Sequence, residues 1–157
     1  MKTLIAYYSK TGKTEKVALD LAKLLNADLE KIIDQKKRTG LVGYLTGGRD
    51  AMKKKLTQIN SLSKNPADYD LVILGMPVWG WNLTPALRTY IEENKNKIKK
   101  YAFFVTSGDT PAEKLIKYFV EIFGQEPICQ TGFNTKELSD ENIYQQKIND
   151  LLIKINN

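Results

Sequence analysis

Six consecutive residues, Ser9-Lys10-Thr11-Gly12-Lys13-Thr14, put hydroxyls, ammonium groups and a glycine where a chain could hold an anion. An apolar run, Leu4-Ile5-Ala6-Tyr7-Tyr8, precedes them and is short enough for a buried strand. Behind them Val17, Ala18, Leu21, Leu24 and Leu25 follow at helical spacing. The hydroxyls therefore sit on a strand-to-helix turn. Gly12 lets backbone approach a ligand with no Cβ in the way. The first helical turn offers N–H groups without intrahelical acceptors, at the positive end of the helix dipole. Ser9, Thr11 and Thr14 add hydroxyl donors, and Lys13 adds charge. The expected ligand is one phosphate monoester. Gly12-Lys13-Thr14 also imitates the tail of a nucleoside-triphosphate loop, but that motif needs glycine where this chain has Tyr7.

Two more stretches carry chemistry. Met76-Pro77-Val78-Trp79-Gly80-Trp81-Asn82 places two indoles and a glycine after the apolar run Leu71 to Gly75. Ser107-Gly108-Asp109 follows the apolar run Tyr101 to Thr106. Histidine is absent, which excludes Ser–His and Cys–His catalysis and leaves the hard chemistry to a bound cofactor. With no histidine and the single Cys129, no metal site is expected, and Cys129 is read as a buried strand residue.

The elements that must position these loops alternate along the chain. Strands are expected at 4–8, 28–33, 71–75, 101–106 and 128–133. In the second, Leu29 and Ile33 face the core. Helices are expected after Thr14, over 49–59 with Ala51, Met52 and Leu56 inward, and after Thr84-Pro85. A fourth starts at a Thr110-Pro111-Ala112-Glu113 capping box and ends at Gly124. A last one is capped by Ser139, with Tyr144, Ile148, Leu151, Leu152 and Ile155 inward. Asn26 is a C-cap for the first helix. At 157 residues with no repeat or linker, the chain reads as one α/β domain over 1–157. The fold expected is a three-layer sandwich, helices covering both faces of a five-stranded parallel sheet. Loops after strands one, three and four come together if the strand order is 2-1-3-4-5.

The phosphate turn, the Trp79-Gly80 loop and Ser107-Gly108-Asp109 together resemble the flavodoxin family, and the likeness spans nearly the whole chain. The resemblance implies FMN as cofactor. Ser9, Thr11, Gly12, Lys13 and Thr14 would hold its phosphate. Pro77, Val78, Trp79, Gly80 and Trp81 would form the loop beside the isoalloxazine, with Trp79 covering a flavin face and Gly80 near N5. Ser107, Gly108 and Asp109 would meet the pyrimidine edge. Asp109 also fits a helix cap, and Trp81 also fits packing under the third helix. Tyr8 and Tyr44 are read as structural, with approach to the ring as the alternative for either. The implied activity is one- or two-electron transfer, as a carrier or as a small oxidoreductase taking hydride from NAD(P)H to a quinone-like acceptor. Its redox partner is either a protein or NAD(P)H.

The net charge is +6, and residues 31–55 hold eight basic side chains against Asp34 and Asp50. Carriers of this family are typically acidic around the flavin, so the patch departs from them. It would draw an acidic protein or the phosphates of NADPH, with Lys36, Lys37, Arg38 and Lys53 to Lys55 as its centre. A plain solvated helix face explains it equally well. No segment is long enough to span a membrane, no signal peptide is evident, and no nucleic-acid motif accompanies the charge. A cytoplasmic protein without membrane or nucleic-acid partners is the expectation.

Overall fold

Apolar strands buried on both sides dictate the architecture. The computed structural model describes residues 1–156. Strands β1 (Thr3–Tyr8), β2 (Asp28–Ile32), β3 (Leu71–Pro77), β4 (Tyr101–Ser107) and β5 (Gln130–Asn134) form one sheet in the order β2-β1-β3-β4-β5. All four pairings are parallel. The helices are α1 (Lys13–Leu25), α2 (Gly40–Met52), α3 (Pro85–Asn94), α4 (Ile116–Phe123) and α5 (Glu141–Asn156). Alternate residues of each central strand feed different cores. Leu4, Ala6, Val72, Leu74, Phe103 and Val105 join Leu87, Tyr90 and Phe119 on one face. Ile5, Ile73, Ala102 and Phe104 join Val17, Leu21, Ile148 and Leu151 on the other. The three-layer α/β sandwich and its strand order are as the loop chemistry predicts.

Several local expectations fail for identifiable reasons. In β2 Glu30 and Ile32 are buried; Leu29 packs half-buried against the other core as expected, but Ile33 is exposed. Glu30 can turn inward because its carboxylate accepts hydrogen bonds from Ser63 N (2.8 Å), Lys64 N (2.6 Å) and the Ser63 hydroxyl (3.1 Å). Leu24 of α1 is exposed. β5 starts two residues later than expected, leaving buried Cys129 just before it. Thr110 caps nothing: the chain leaves Pro111 through a 3-10 turn, Ala112–Leu115, before α4 begins. Asp140, not Ser139, opens α5, its Oδ1 accepting from Asn142 N and Ile143 N. Asn26 and Gly124 do end their helices with left-handed backbone.

The largest difference is α2. It runs over Gly40–Met52 instead of 49–59, through four glycines that argue against a helix by propensity. An ion cluster fixes it. Arg38, just ahead of the helix, donates from Nε to Asp34 Oδ2 (2.8 Å) and from Nη1 to Asp50 Oδ2 (2.9 Å). All three side chains are buried. Asp34 Oδ1 also accepts from the Thr57 hydroxyl at 2.7 Å. Asp34 lies just past β2 and Asp50 near the end of α2, so Arg38 bolts the helix to the sheet. Burial pushes the Asp50 carboxyl up, but hydrogen bonds from Arg38 and Lys36 outweigh it and hold the group at about 2.

Replacing Arg38 by Met should leave Asp34 buried without a cation and cost about 3–5 kcal/mol of stability in urea unfolding at neutral pH. Asp50 is depressed in the folded state. Its stabilisation is therefore full above its ordinary 3.8 and lost as pH falls toward about 2. The gap between wild type and variant should narrow over that interval.

Candidate functional site

The loops after β1, β3 and β4 converge at the carboxyl end of the sheet because those strands are neighbours. In the first, Gly12 has φ 87° and its N–H donates to Ser9 Oγ at 3.2 Å. The first helical bond runs from Lys16 N to Gly12 O (2.9 Å), so the N–H groups of Lys13, Thr14 and Glu15 lack helical acceptors. Thr11, Gly12 and Lys13 are exposed, and Ser9 is half-buried. Lys13 Nζ reaches Thr135 Oγ1 at 3.4 Å. Thr14 differs from its expected role: it is buried and its hydroxyl lies 2.8 Å from that of Thr106. Thr14 thus ties α1 to the end of β4, and Thr11 is the open hydroxyl of the turn.

The loop after β3 is a tight turn. Trp79 N donates to Asn82 O (3.4 Å) and Asn82 N to Trp79 O (3.0 Å). Gly80 and Trp81 have φ 53° and 56°, the double positive of a type I′ turn. Glycine adopts this freely; a tryptophan there costs about 1–2 kcal/mol. Arg88 holds the turn from below, its Nη2 donating to Asn82 Oδ1 at 3.0 Å. Both are buried, and burial lowers the Arg88 pKa.

The turn gives the two indoles, which both line the cleft described below, very different exposures. Trp79 is only 7% exposed. Its ring meets Tyr8 edge-on at 5.5 Å, with Lys10 Nζ at 5.6 Å and the Arg38 guanidinium at 6.0 Å from the centroid. Tyr8 is structural as expected; burial, with the nearby Asp34 charge, pushes its hydroxyl up to about 12. Trp81 is 69% exposed rather than packed under α3, so it is the indole free to meet a ligand.

Helix α2 supplies the wall that the sequence reading missed. Its small face rests on Trp79: a Cβ at Gly47 would lie 2.8 Å from the ring atom Cζ3. A Cβ at Gly80 would lie 2.6 Å from the Gly48 carbonyl oxygen and 2.7 Å from Met52 Cγ. Gly80 is thus required by close helix approach as well as by its φ. The signal in the sequence was Gly43 and Gly47, four residues apart, which place two absent side chains on one helical face.

Together these elements bound an apolar-walled cleft of about 480 Å3. Val78, Trp79, Gly80 and Trp81 form one side, Ser107, Gly108, Asp109 and Thr110 another, and Tyr44, Leu45, Gly48, Arg49 and Met52 of α2 a third. Tyr44 is 63% exposed and lines this space, which favours the second of its two readings over the structural one. Pro77 and the 9–14 turn do not line the cleft; the turn sits at the adjacent strand end. The basic patch is largely spoken for. Arg38 is internal, and Lys31, Lys36, Lys54 and Lys55 lie within 4 Å of Glu15, Asp50, Glu121 and Asp50 respectively. Lys37, Arg49 and Lys53 have no ion-pair partner among the described residues.

Fold and cleft define a doubly wound α/β protein with an open cleft at the carboxyl end of its sheet. The chain belongs to the flavodoxin family, whose sequence pattern it matches over residues 2–143. No curated protein matches it. Among solved structures, it is similar to a flavoprotein of Lactobacillus acidophilus NCFM crystallised in complex with FMN. That pair shares 24% identity over 88% of this chain and 96% of the other, with TM-score 0.72. A protein of Bacteroides eggerthii is 23% identical over 88% and 93% of the two chains, with TM-score 0.74. Oxidised flavodoxin 2 of Bacillus cereus is 22% identical over 99% of each, with TM-score 0.52. At these identities the likeness is one of fold.

Gly47→Ala should push α2 from Trp79. Overpacking of this kind costs about 1–3 kcal/mol, read as a lowered urea midpoint. The emission of the buried Trp79 should shift to the red at the same time.

Proposed function

We propose that the protein binds FMN and passes one or two electrons through it. The observation that carries this reading is the cleft between Trp81, Tyr44 and the 107–110 loop, beside a helix N-terminus with exposed Thr11 and free N–H groups. The donor set suits the group. Trp81 and Tyr44 offer exposed aromatic surface for a planar ring system. Backbone at Gly80 and Gly108 can approach ring heteroatoms closely. The Ser9–Lys13 turn and the first N–H groups of α1 suit a dianionic phosphate. FMN supplies one- and two-electron transfer when bound; the chain's residues bind it, orient it and set its surroundings. The phosphate contacts are assigned to Ser9, Thr11, Gly12 and Lys13, with Thr14 aligning the turn from beneath. Val78, Trp79, Gly80 and Trp81 support the ring, and Ser107, Gly108 and Asp109 its polar edge.

One observation favours an oxidoreductase over a pure carrier. Arg49 lines the cleft with no carboxylate partner among the described residues, where it would meet the phosphates of NAD(P)H. Anaerobic addition of NADPH separates the two. An oxidoreductase loses its visible flavin absorbance with NADPH alone, and Arg49→Ser slows that loss. A carrier keeps its colour until a reductase is added.

Two substitutions should give opposite signatures. Thr11→Val removes a hydrogen bond to a charged group, about 1.5–3 kcal/mol, so FMN affinity should fall roughly tenfold to a hundredfold while riboflavin affinity stays. Trp81→Ala removes stacking, about 1–3 kcal/mol by analogy with bases on aromatic platforms, and should weaken FMN and riboflavin alike. Equilibrium titration by flavin fluorescence reads both.

A further inference from the structure

Helix α2 turns every acid of its region inward and leaves a continuous apolar and cationic face outward. Gly43, Gly47, Asp50 and Ala51 are buried on one side. The opposite side presents Leu41, 74% exposed, Val42, 73% exposed, and beyond them Leu45, Arg49 and Met52. Lys37 precedes this ridge and Lys53 follows it, both exposed, while Lys36, Lys54 and Lys55 are exposed on the same segment. Asp34 and Asp50, the only acids between residues 31 and 55, are the buried partners of Arg38. Asp50 also takes Lys36 and Lys55, and Lys54 reaches Glu121, so Lys37, Arg49 and Lys53 are the outer cations of this segment without a carboxylate partner among the described residues. Leu45, Arg49 and Met52 have a second role in the cleft, but Leu41 and Val42 do not line it.

We propose that this face docks on an anionic lipid bilayer, with Leu41 and Val42 entering the headgroup boundary and Lys37 and Lys53 pairing with lipid phosphates. Charge complementarity selects this occupant. A lysine-rich cluster around a helix with aliphatic side chains outward is the pattern of a helix lying in an interface. A protein interface core is, in contrast, depleted of lysine. The surface is distinct from a membrane span: no helix of the described residues is long and apolar enough to cross. The face adjoins the cleft, so docking would bring the cleft mouth to the lipid boundary, where lipophilic quinones partition. That consequence rests on the redox reading above; the docking itself does not.

Co-sedimentation of the full-length protein with vesicles tests it. One set is phosphatidylcholine alone, and the other contains phosphatidylglycerol. Wild type should bind the anionic vesicles and leave the neutral ones largely unbound, with binding falling as salt rises. Each lysine near an anionic surface is worth about 1 kcal/mol, so Lys37→Glu with Lys53→Glu should weaken binding on the order of a hundredfold. Leu41→Ser with Val42→Ser should weaken it as well, by removing the inserted atoms. FMN affinity, measured on the same variants, should stay unchanged and so reports on folding and on the redox reading separately. Absence of binding to both vesicle types would overturn the proposal and leave an acidic protein as the occupant. Binding untouched by the Leu41 and Val42 changes would also overturn it, since plain polyanion attraction would then suffice.

Discussion

The seat of Trp79 is the constraint on which the site depends. An indole can be buried at the end of β3 only if the helix above it brings no side chain to the contact, and Gly47 meets that condition. Bringing α2 so close requires Arg38, whose guanidinium joins Asp34 beyond β2 to Asp50 on the helix and lies near the same indole. A buried ion cluster is a weak source of net stability but a strong determinant of geometry, since any other placement strands a charge. Helix position then fixes the cleft: Tyr44, Leu45, Gly48, Arg49 and Met52 face the turn at Gly80 and Trp81 because Gly43 and Gly47 face inward.

The same arrangement divides labour between the two tryptophans. Trp79 is spent on anchoring, packed against Tyr8 and α2. Trp81 is held outward by a backbone conformation that tryptophan adopts at a cost, with the buried Asn82–Arg88 hydrogen bond below the turn. Strain of this sort is retained where surrounding structure over-determines it, and it gathers at ligand sites. The turn therefore sets a buried indole beside an exposed one, and both line the cleft.

The sheet, its order and the three converging loops were legible in the sequence because the central strands are uninterrupted apolar runs. The glycine-hydroxyl turn after β1 could also be read, since it needs only local spacing. The face of β2 could not, because the burial of Glu30 depends on backbone donors at Ser63 and Lys64, far along the chain. Helix α2 was hidden by its glycines, whose propensity cost of about 1 kcal/mol each is overridden by contacts formed only in the fold. Without that helix the cleft lacks a wall. The depth at which Trp79 is buried then goes unseen, and Arg38 passes for surface charge. Thr14 fits a phosphate loop by spacing alone; only the neighbouring Thr106 shows that its hydroxyl turns inward.

If strand-end turn and cleft act as one site, phosphate is held at one end and a flat ring at the other. Titration of the unaltered, flavin-free protein with FMN and, separately, riboflavin tests it most directly, followed by flavin fluorescence. Quenching should saturate at one FMN per chain, as the ring reaches Trp81 and Tyr44, with riboflavin bound measurably more weakly. Equal affinity for the two flavins, or no saturable quenching by either, would contradict it.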